Sequence, residues 1–297
     1  MSVHSAGSTN YIGRFAPSPT GPLHFGSLFA AIASYVDAKT NAGKWLLRME
    51  DLDPPREPQG AAEHILQQLC DFGLQWDGDV LFQSTRLEQY DSAIEALTEK
   101  KLCFYCDCTR PRVKAMGSVY NGHCRNRALA ADNDVALRVK TEATEIGFQD
   151  CVCGYYSQNI RKDVGDFIIR RKDGLHAYQL AVVVDDEFQN ITHVIRGVDL
   201  LDSTPRQIYL QQTLGYSTPT YCHMPILVNE QGQKLSKQHF AAPIKKENAS
   251  ELTFRSLSLL GQDPPATLRA EPVNRQLEWA IEHWRIQAVP KLANIPF

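Results

Sequence analysis

The 297-residue sequence lacks a long apolar run, a strong excess of either charge and any internal repeat. No stretch approaches the roughly 20 apolar residues that a membrane-spanning helix requires. The first ten residues have neither the cationic start nor the apolar stretch of a signal peptide, so we expect a cytoplasmic chain with no membrane partner. A net charge of −3 means that any nucleic-acid binding would depend on a local basic patch. The eight cysteines are therefore expected to be thiols or metal ligands rather than disulfides.

The order of the apolar patterns predicts an α/β fold with a parallel sheet. A strand at 11–17 leads into a loop, apolar residues recur at helical spacing over 26–39, and 44–51 forms the next strand. This β-loop-α-β unit is the usual start of such a fold. Two apolar, β-branched runs, at 179–186 and 191–197, resume the pattern after an interruption of about 75 residues, which is the size of a small inserted domain. Further helices are predicted over 61–72, after Thr85 and from Asp202 to Gly215.

The stretch RFAPSPTGPLHFGSL, at 14–28, is more constrained than a plain strand-to-helix turn needs to be. It turns sharply at a helix N-terminus, whose unpaired N–H groups and positive dipole end suit a phosphate. Gly21 and Gly26 would allow close approach, and His24 could follow the charge that develops on a transferring phosphoryl group. The glycine spacing fits neither the dinucleotide fingerprint nor the P-loop. The residues alone leave open a proline-rich turn with a packed histidine.

A second polar loop, GQKLSKQ at 232–238, places two lysines three residues apart around a serine. Lysine side chains can act as flexible point charges on phosphates. Taken alone, this loop fits a solvated surface equally well.

Together the two loops resemble the HIGH and KMSKS signatures of class I aminoacyl-tRNA synthetases, in the expected order and separation. The first loop, RMEDLD at 48–53, YQLAVVVDD at 178–186 and HVIRGVD at 193–199 are similar to the glutamyl branch of that class. These motifs cover the chain from about 11 to 240. The resemblance implies a Rossmann-like catalytic domain in which glutamate attacks ATP, supplied with Mg²⁺, to give glutamyl-adenylate and pyrophosphate. The acyl group would then pass to RNA.

The resemblance also implies roles for individual side chains. Arg14 and Arg196 would hold the two carboxylates of glutamate, a task that suits the forked guanidinium group. Glu50 would accept the substrate ammonium group, and Tyr178 would hydrogen-bond nearby. Without the resemblance, Arg196 could be a surface charge at a strand end. The other implied contacts are Ala16 and Ser18 for glutamate, Pro17, His24, Gly26, Ser27 and Lys237 for ATP, and His24, Lys234 and Lys237 for catalysis at the α-phosphoryl group.

Two positions depart from the general pattern of the class. Ser27 ends the HIGH-like element where histidine is usual, although the glutamate branch commonly has a small residue there. Val198 stands in RGVD where glutamyl enzymes usually carry an acidic residue. This change alters the neighbourhood of Arg196 and weakens the expectation of ordinary tRNA(Glu) specificity.

A cysteine cluster interrupts the α/β pattern, with Cys103, Cys106, Cys108 and Cys124 close in sequence and His123 beside the last. Thiolates at C-x-C spacing followed by another thiol are typical of a structural zinc site. The residues leave the fourth ligand open among Cys103, His123 and Tyr120, and they leave open a set of buried free thiols. The resemblance to short glutamyl-synthetase-like proteins implies one Zn²⁺ held by Cys106, Cys108, Tyr120 and Cys124.

Positive charge is concentrated around this cluster and favours contact with an RNA backbone, although a solvated face would look the same. The basic residues are Lys100, Lys101, Arg110, Arg112, Lys114, Arg125 and Arg127.

The resemblance divides the chain into four expected segments. They are the first half of the catalytic domain at 11–101, an inserted zinc-containing acceptor-type subdomain at 102–175, the second half with the KMSKS-like loop at 176–240, and a C-terminal helical, stem-contact-like region at 241–297. Only 59 residues follow Gln238, so we expect no anticodon-binding domain.

A catalytic half without an anticodon-binding domain resembles the truncated paralogues that attach activated glutamate to queuosine in the anticodon loop of tRNA(Asp). The implied partners are L-glutamate, ATP and queuosine-containing tRNA(Asp), and we expect a monomer. Two other interpretations remain: a minimal glutamyl-tRNA synthetase that charges a 3′ end, and a catalytically idle RNA-binding paralogue. The intact set of Arg14, His24, Glu50, Tyr178, Arg196 and Lys237 argues against idleness.

Overall fold

The computed structural model describes residues 11–117, 119–131, 134–234 and 242–297. Its strands are β1 Ile12–Phe15, β2 Lys44–Met49, β3 Leu81–Phe82, β4 Cys103–Cys106, β5 Ala136–Val139, β6 Glu145–Asp150, β7 Gly154–Asn159, β8 Ile168–Arg170, β9 His193–Gly197, β10 Thr220–Met224, β11 Ile226–Val228 and β12 Asn294–Pro296. Its helices are α1 Phe25–Thr40, α2 Ala61–Asp71, α3 Leu87–Glu99, α4 Arg110–Ala115, α5 Tyr178–Phe188, α6 Thr204–Leu214, α7 Ala249–Leu259 and α8 Val273–His283. No helix within these ranges is long and apolar enough to cross a membrane.

The central sheet is parallel, which confirms the predicted α/β class. β2 pairs in parallel with β1 and with β3, and β9 pairs in parallel with β10. The N–H of Thr192 donates to the carbonyl of Ile12 at 2.9 Å and so joins the start of β9 to the start of β1. The strand order is therefore β3-β2-β1-β9-β10, and it reverses between β1 and β9. A crevice at the carboxyl ends of the strands, at such a reversal, is the usual ligand site of this architecture.

Helix α1 follows the predicted periodicity closely. Its buried face includes Leu28, Phe29, Ile32 and Val36, each no more than 2% exposed. The spacing of these residues places them along one stripe of the helix, which packs on the sheet. Truncating a buried residue such as Ile32 to alanine would cost about 2–5 kcal/mol, so this helix is firmly anchored and fixes the position of its own N-terminus.

The two β-branched runs adopt different structures. The second is strand β9, whereas the first lies in helix α5, where the five residues from Leu180 to Val184 are all buried. A helix buried on every side needs no amphipathic pattern, so tertiary packing overrides the strand preference of valine.

The middle of the chain forms two antiparallel units. β4, β5 and β8 make one sheet, and β6 and β7 form a hairpin. The hairpin is attached to the central sheet, because the N–H of Cys151 donates to the carbonyl of Tyr221 in β10 at 3.1 Å. In the C-terminal part, helices α7 and α8 pack against α1, and β12 pairs with β11.

Candidate active site

A cavity of about 680 Å³ opens at the carboxyl ends of β1 and β9, at the point where the strand order reverses. Every residue to which the resemblance assigns glutamate, ATP or catalysis lines this cavity, with one exception. The exception is Lys237, which lies outside the described residues. The lining residues among those predicted are Arg14, Ala16, Pro17, Ser18, His24, Gly26, Ser27, Glu50, Tyr178, Arg196 and Lys234.

Arg14 reaches the cavity from the end of β1 and is held by a buried carboxylate. Its Nε lies 3.3 Å from Asp186 Oδ1, and Nη2 of Arg48 lies 2.7 Å from the same oxygen. Burial acts to raise the pKa of Asp186, but the two guanidinium groups outweigh it and hold that pKa below its usual value. Asp186 is therefore ionised and fixes both arginines.

Glu50 follows strand β2 and faces the same space. Its backbone N–H donates to the carbonyl of Pro17 at 3.0 Å, which ties the end of β2 to the opening loop. Its Oε1 lies 3.8 Å from Arg48 Nη2, too far for a strong hydrogen bond. Burial raises the pKa of Glu50 to about 7, because water no longer solvates the carboxylate. A desolvated carboxylate of this kind is suited to a cationic ligand.

Arg196 occupies the end of β9 and is only 5% exposed. Its Nε donates to His223 Nε2 at 3.0 Å, and its Nη2 donates to Thr204 Oγ1 at 2.8 Å. Its Nη1 is buried and has no hydrogen-bond partner among the described residues. A buried donor without a partner is costly, so this nitrogen is expected to meet a ligand acceptor. Arg196 is therefore a cavity-wall cation and not the surface charge that the sequence left open.

Tyr178 is the first residue of α5 and lines the cavity with Arg14 and Arg196. Burial raises the pKa of its phenol, so the hydroxyl keeps its proton and can donate a hydrogen bond.

His24 caps the N-terminus of α1. Its Nδ1 accepts a hydrogen bond from the backbone N–H of Ser27 at 3.2 Å. A neutral ring whose Nδ1 accepts must carry its hydrogen on Nε2, which lies 3.0 Å from Ser27 Oγ. The sequence-level alternatives, a packed histidine and a phosphate ligand, are thus compatible, since an incoming oxygen could replace Ser27 Oγ as acceptor.

Lys234 is the last described residue before the 235–241 stretch. Its Nζ forms an ion pair with Asp199, and both residues line the cavity. Lys234 thus lines the same cavity as His24, Gly26 and Ser27 at the start of α1.

The cysteine cluster forms a separate buried group. The Sγ atoms of Cys106, Cys108 and Cys124 all lie within 4.8 Å of one another, with Cys108 and Cys124 3.6 Å apart. A tetrahedral zinc ion with Zn–S bonds of about 2.3 Å would separate its sulfurs by about 3.8 Å, which is close to this spacing. The hydroxyl of Tyr120 lies 3.5 Å from Cys106 Sγ.

The other two candidates for a fourth ligand lie elsewhere. Cys103 and Cys106 are three residues apart on strand β4, so their side chains project from opposite faces. His123 is exposed and is not part of the sulfur group. Among the three alternatives that the sequence left open, Tyr120 is the one that the fold brings to the thiols.

Two arginines of the basic patch around the cysteine cluster are already paired with carboxylates. Arg125 is paired with the buried carboxylate of Asp166, and Arg127 Nη1 lies 2.7 Å from Asp107 Oδ1. Arg110, Arg112 and Lys114 of helix α4 are exposed and form no ion pair among the described residues.

Sequence reasoning missed the side chains behind the cavity wall. Asp186 carries a weak signal, since it follows the run of buried apolar residues in α5 and a buried carboxylate needs a cationic partner. His223 and Asp150 carry none, because their ring–carboxylate contact of 2.6 Å joins positions 73 residues apart.

Comparison with known proteins agrees with this geometry. Residues 12–270 match the family model for the catalytic domain of class I tRNA synthetases of the E and Q kind. The chain therefore belongs to the class I aminoacyl-tRNA synthetases. It is 47% identical to a glutamyl-Q tRNA(Asp) synthetase of Pseudomonas fluorescens over 97% of both chains. It is 49% identical to that of Neisseria meningitidis serogroup C over 96% of this chain and 99% of the relative. Within the class, it belongs to the glutamyl-Q tRNA(Asp) synthetase family.

A solved structure shares the fold. A glutamate tRNA ligase from Elizabethkingia meningosepticum, crystallised with its amino acid, superimposes with a TM-score of 0.77 at 24% identity. The match covers 96% of this chain and 67% of that one.

Proposed function

We propose that this protein activates L-glutamate with ATP, without needing tRNA, and transfers the glutamyl group to queuosine in the anticodon loop of tRNA(Asp). The convergence of Arg14, Glu50, Tyr178 and Arg196 on one cavity carries the proposal of glutamate as substrate. Family membership supports the choice of acceptor.

Glutamate has two carboxylates and one ammonium group, and the cavity offers a complement to each. Arg14 and Arg196 bind the carboxylates, and the unpaired Nη1 of Arg196 supplies a ready donor. Glu50 accepts the ammonium group, which replaces the water that burial has removed from its carboxylate. Tyr178 donates a hydrogen bond to the bound amino acid.

The α-carboxylate of glutamate attacks the α-phosphorus of ATP, and the bond to pyrophosphate breaks. ATP enters with Mg²⁺ and lies against Pro17, Gly26 and Ser27 at the start of α1. His24 donates from Nε2 to the α-phosphoryl oxygens, and Lys234 and Lys237 add positive charge from the loop. The residues form no covalent intermediate, so catalysis depends on positioning and charge stabilisation. Attack by queuosine on the adenylate carbonyl then releases AMP.

The buried thiols fit a structural zinc ion rather than a catalytic one. Cys106, Cys108 and Cys124 would hold Zn²⁺ as thiolates, with Tyr120 Oη as the fourth donor, and all four side chains are buried. A closed set of four donors leaves no open position for a substrate. The ion would fasten the end of β4 to the loop around Tyr120, next to the exposed arginines of α4.

Glutamate-dependent ATP–pyrophosphate exchange, measured without tRNA, tests the activation step. We expect exchange with glutamate alone. Exchange that requires tRNA(Glu) would favour a minimal glutamyl-tRNA synthetase, and no exchange with any tRNA would overturn the enzyme proposal in favour of an idle RNA-binding paralogue.

A further inference from the structure

The charge of Arg196 is held by two neutral side chains. Its Nε and Nη2 donate to His223 and Thr204, and no carboxylate lies within ion-pair distance of it among the described residues. Arg14, in contrast, shares its charge with Asp186. Arg196 therefore brings to the cavity wall a positive charge with no direct carboxylate partner among the described residues, and an imidazole, a hydroxyl and the Tyr221 ring hold it in place.

The imidazole of His223 can accept from Arg196 only if its Nε2 carries no hydrogen. The carboxylate of Asp150 settles this point, because its Oδ2 lies 2.6 Å from His223 Nδ1 and fixes the hydrogen there. Both side chains are fully buried. Burial lowers the pKa of His223, the Asp150 carboxylate raises it and the guanidinium of Arg196 lowers it again, so that the pKa lies below its usual value. The contact with the Nε–H of Arg196 likewise requires a ring that carries no hydrogen on Nε2.

We propose that Asp150 and His223 are positioning residues for glutamate: the carboxylate selects the imidazole tautomer, and the imidazole holds Arg196 with Nη1 available to a substrate carboxylate. This inference rests on the proposed glutamate activation. The opposite tautomer would place a second N–H against the Nε–H of Arg196, donor against donor. That N–H would also compete with Arg196 Nη2 for Thr204 Oγ1, which lies 3.1 Å from His223 Nε2, so both contacts that hold the guanidinium would be weakened. Asp150 ends strand β6, so the β6–β7 hairpin would influence amino-acid binding without touching the substrate.

The variant Asp150→Asn tests the tautomer directly, because the fold dictates which way the new amide points. Asp150 Oδ1 accepts the backbone N–H groups of Val152 and Cys153, both at 2.9 Å. The oxygen of asparagine must stay with these donors, so its NH₂ group faces His223 Nδ1. That nitrogen then becomes the acceptor, and the hydrogen moves to Nε2.

We expect Asp150→Asn to raise the KM for glutamate in pyrophosphate exchange by roughly 10- to 100-fold, the loss that follows one charged hydrogen bond. The KM for ATP should change less than about twofold, because Asp150 and His223 act through Arg196 and neither side chain lines the cavity. His193→Gln is the matched control. His193 begins the same strand β9 at its far end, outside the cavity, and its loss should leave both KM values unchanged.

Substitutions of His223 distinguish a hydrogen-bonding role of the imidazole toward Arg196 from a role in packing alone. Glutamine has an acceptor oxygen and no tautomers, so His223→Gln should retain a glutamate KM within about fivefold, whereas His223→Leu should lose at least tenfold. Asp150→Asn should add little to His223→Gln. An equal effect of Asp150→Asn in both backgrounds, a parallel rise in the KM for ATP, or equal KM values for the Gln and Leu variants would overturn the inference. If Asp150→Asn does not fold, the Gln–Leu comparison decides. Absence of glutamate-dependent exchange in the unmodified protein would instead refute the proposed function.

Discussion

Substitution of Glu50 gives the sharpest quantitative prediction, because it should stabilise the fold and at the same time weaken glutamate binding. Burial raises the pKa of this carboxyl from 4.5 to about 7. Between these values the unfolded chain has lost the proton and the folded protein retains it, so stability falls as the pH rises through that interval. Once Glu50 is ionised, the free energy of unfolding is lower by about 3 kcal/mol. Glu50→Gln removes the charge and keeps the shape, so it should stabilise the protein by a few kcal/mol above pH 7 and by almost nothing near pH 4.

The same substitution should weaken glutamate binding. An ionised Glu50 pairs with the substrate ammonium, and the loss of such a charged hydrogen bond costs about 1.5–3 kcal/mol, or roughly 10- to 100-fold in KM. In the unmodified protein only about one molecule in ten carries ionised Glu50 at pH 6, so kcat/KM for glutamate should rise about tenfold per pH unit up to pH 7 and then level off. Glu50→Gln should abolish this rise.

The assays are pyrophosphate exchange between pH 5.5 and 8.5 and urea unfolding at the same pH values. The dependence of exchange on ATP concentration is the internal control and should not follow the Glu50 titration. A flat pH profile for glutamate in the unmodified protein, or a Glu50→Gln variant that is less stable at pH 8, would refute the assignment of Glu50 as a desolvated ammonium acceptor.

Three further substitutions test other parts of the site. Arg196→Gln should raise the KM for glutamate at least 100-fold with little change for ATP in pyrophosphate exchange, since a buried charge–charge contact is lost; equal losses for both substrates would contradict the assignment. Cys124→Ser should lower zinc content, measured by elemental analysis, and the thermal midpoint, while His123→Ala should change neither; an unchanged metal content in Cys124→Ser would refute the zinc site. Asp199→Asn releases Lys234 from a partly exposed ion pair and should lower the KM for ATP by no more than about fivefold, in line with the small energy of such pairs; a higher KM would show that Asp199 itself supports ATP binding.

The local parts of the fold were predictable from the sequence. Strand β1, helix α1 and strand β2 follow from apolar spacing within about 40 residues, and α1 extends only one residue beyond the predicted 26–39 at each end. Helix α5 was not predictable in this way, because its valine-rich run is buried on all sides and periodicity cannot then separate a helix from a strand.

The cavity-lining residues were predictable for a different reason. Arg14, Glu50 and Arg196 stand in motifs whose spacing is characteristic of a known class, and the fold brings those motifs together. The supporting pair of Asp150 and His223 lies outside every motif, so only the three-dimensional contact identifies it. The fourth metal ligand could not be chosen from the sequence. Cys103 and Cys106 project from opposite faces because both lie on strand β4, and the sequence alone does not establish that strand.

The central claim is that glutamate activated here passes to queuosine. The most direct measurement incubates the protein with ATP, radiolabelled glutamate and tRNA(Asp) prepared with or without queuosine. We predict label only on the queuosine-containing tRNA(Asp), and none on tRNA(Glu). Equal labelling of both tRNA(Asp) preparations, or labelling of tRNA(Glu), would contradict the account.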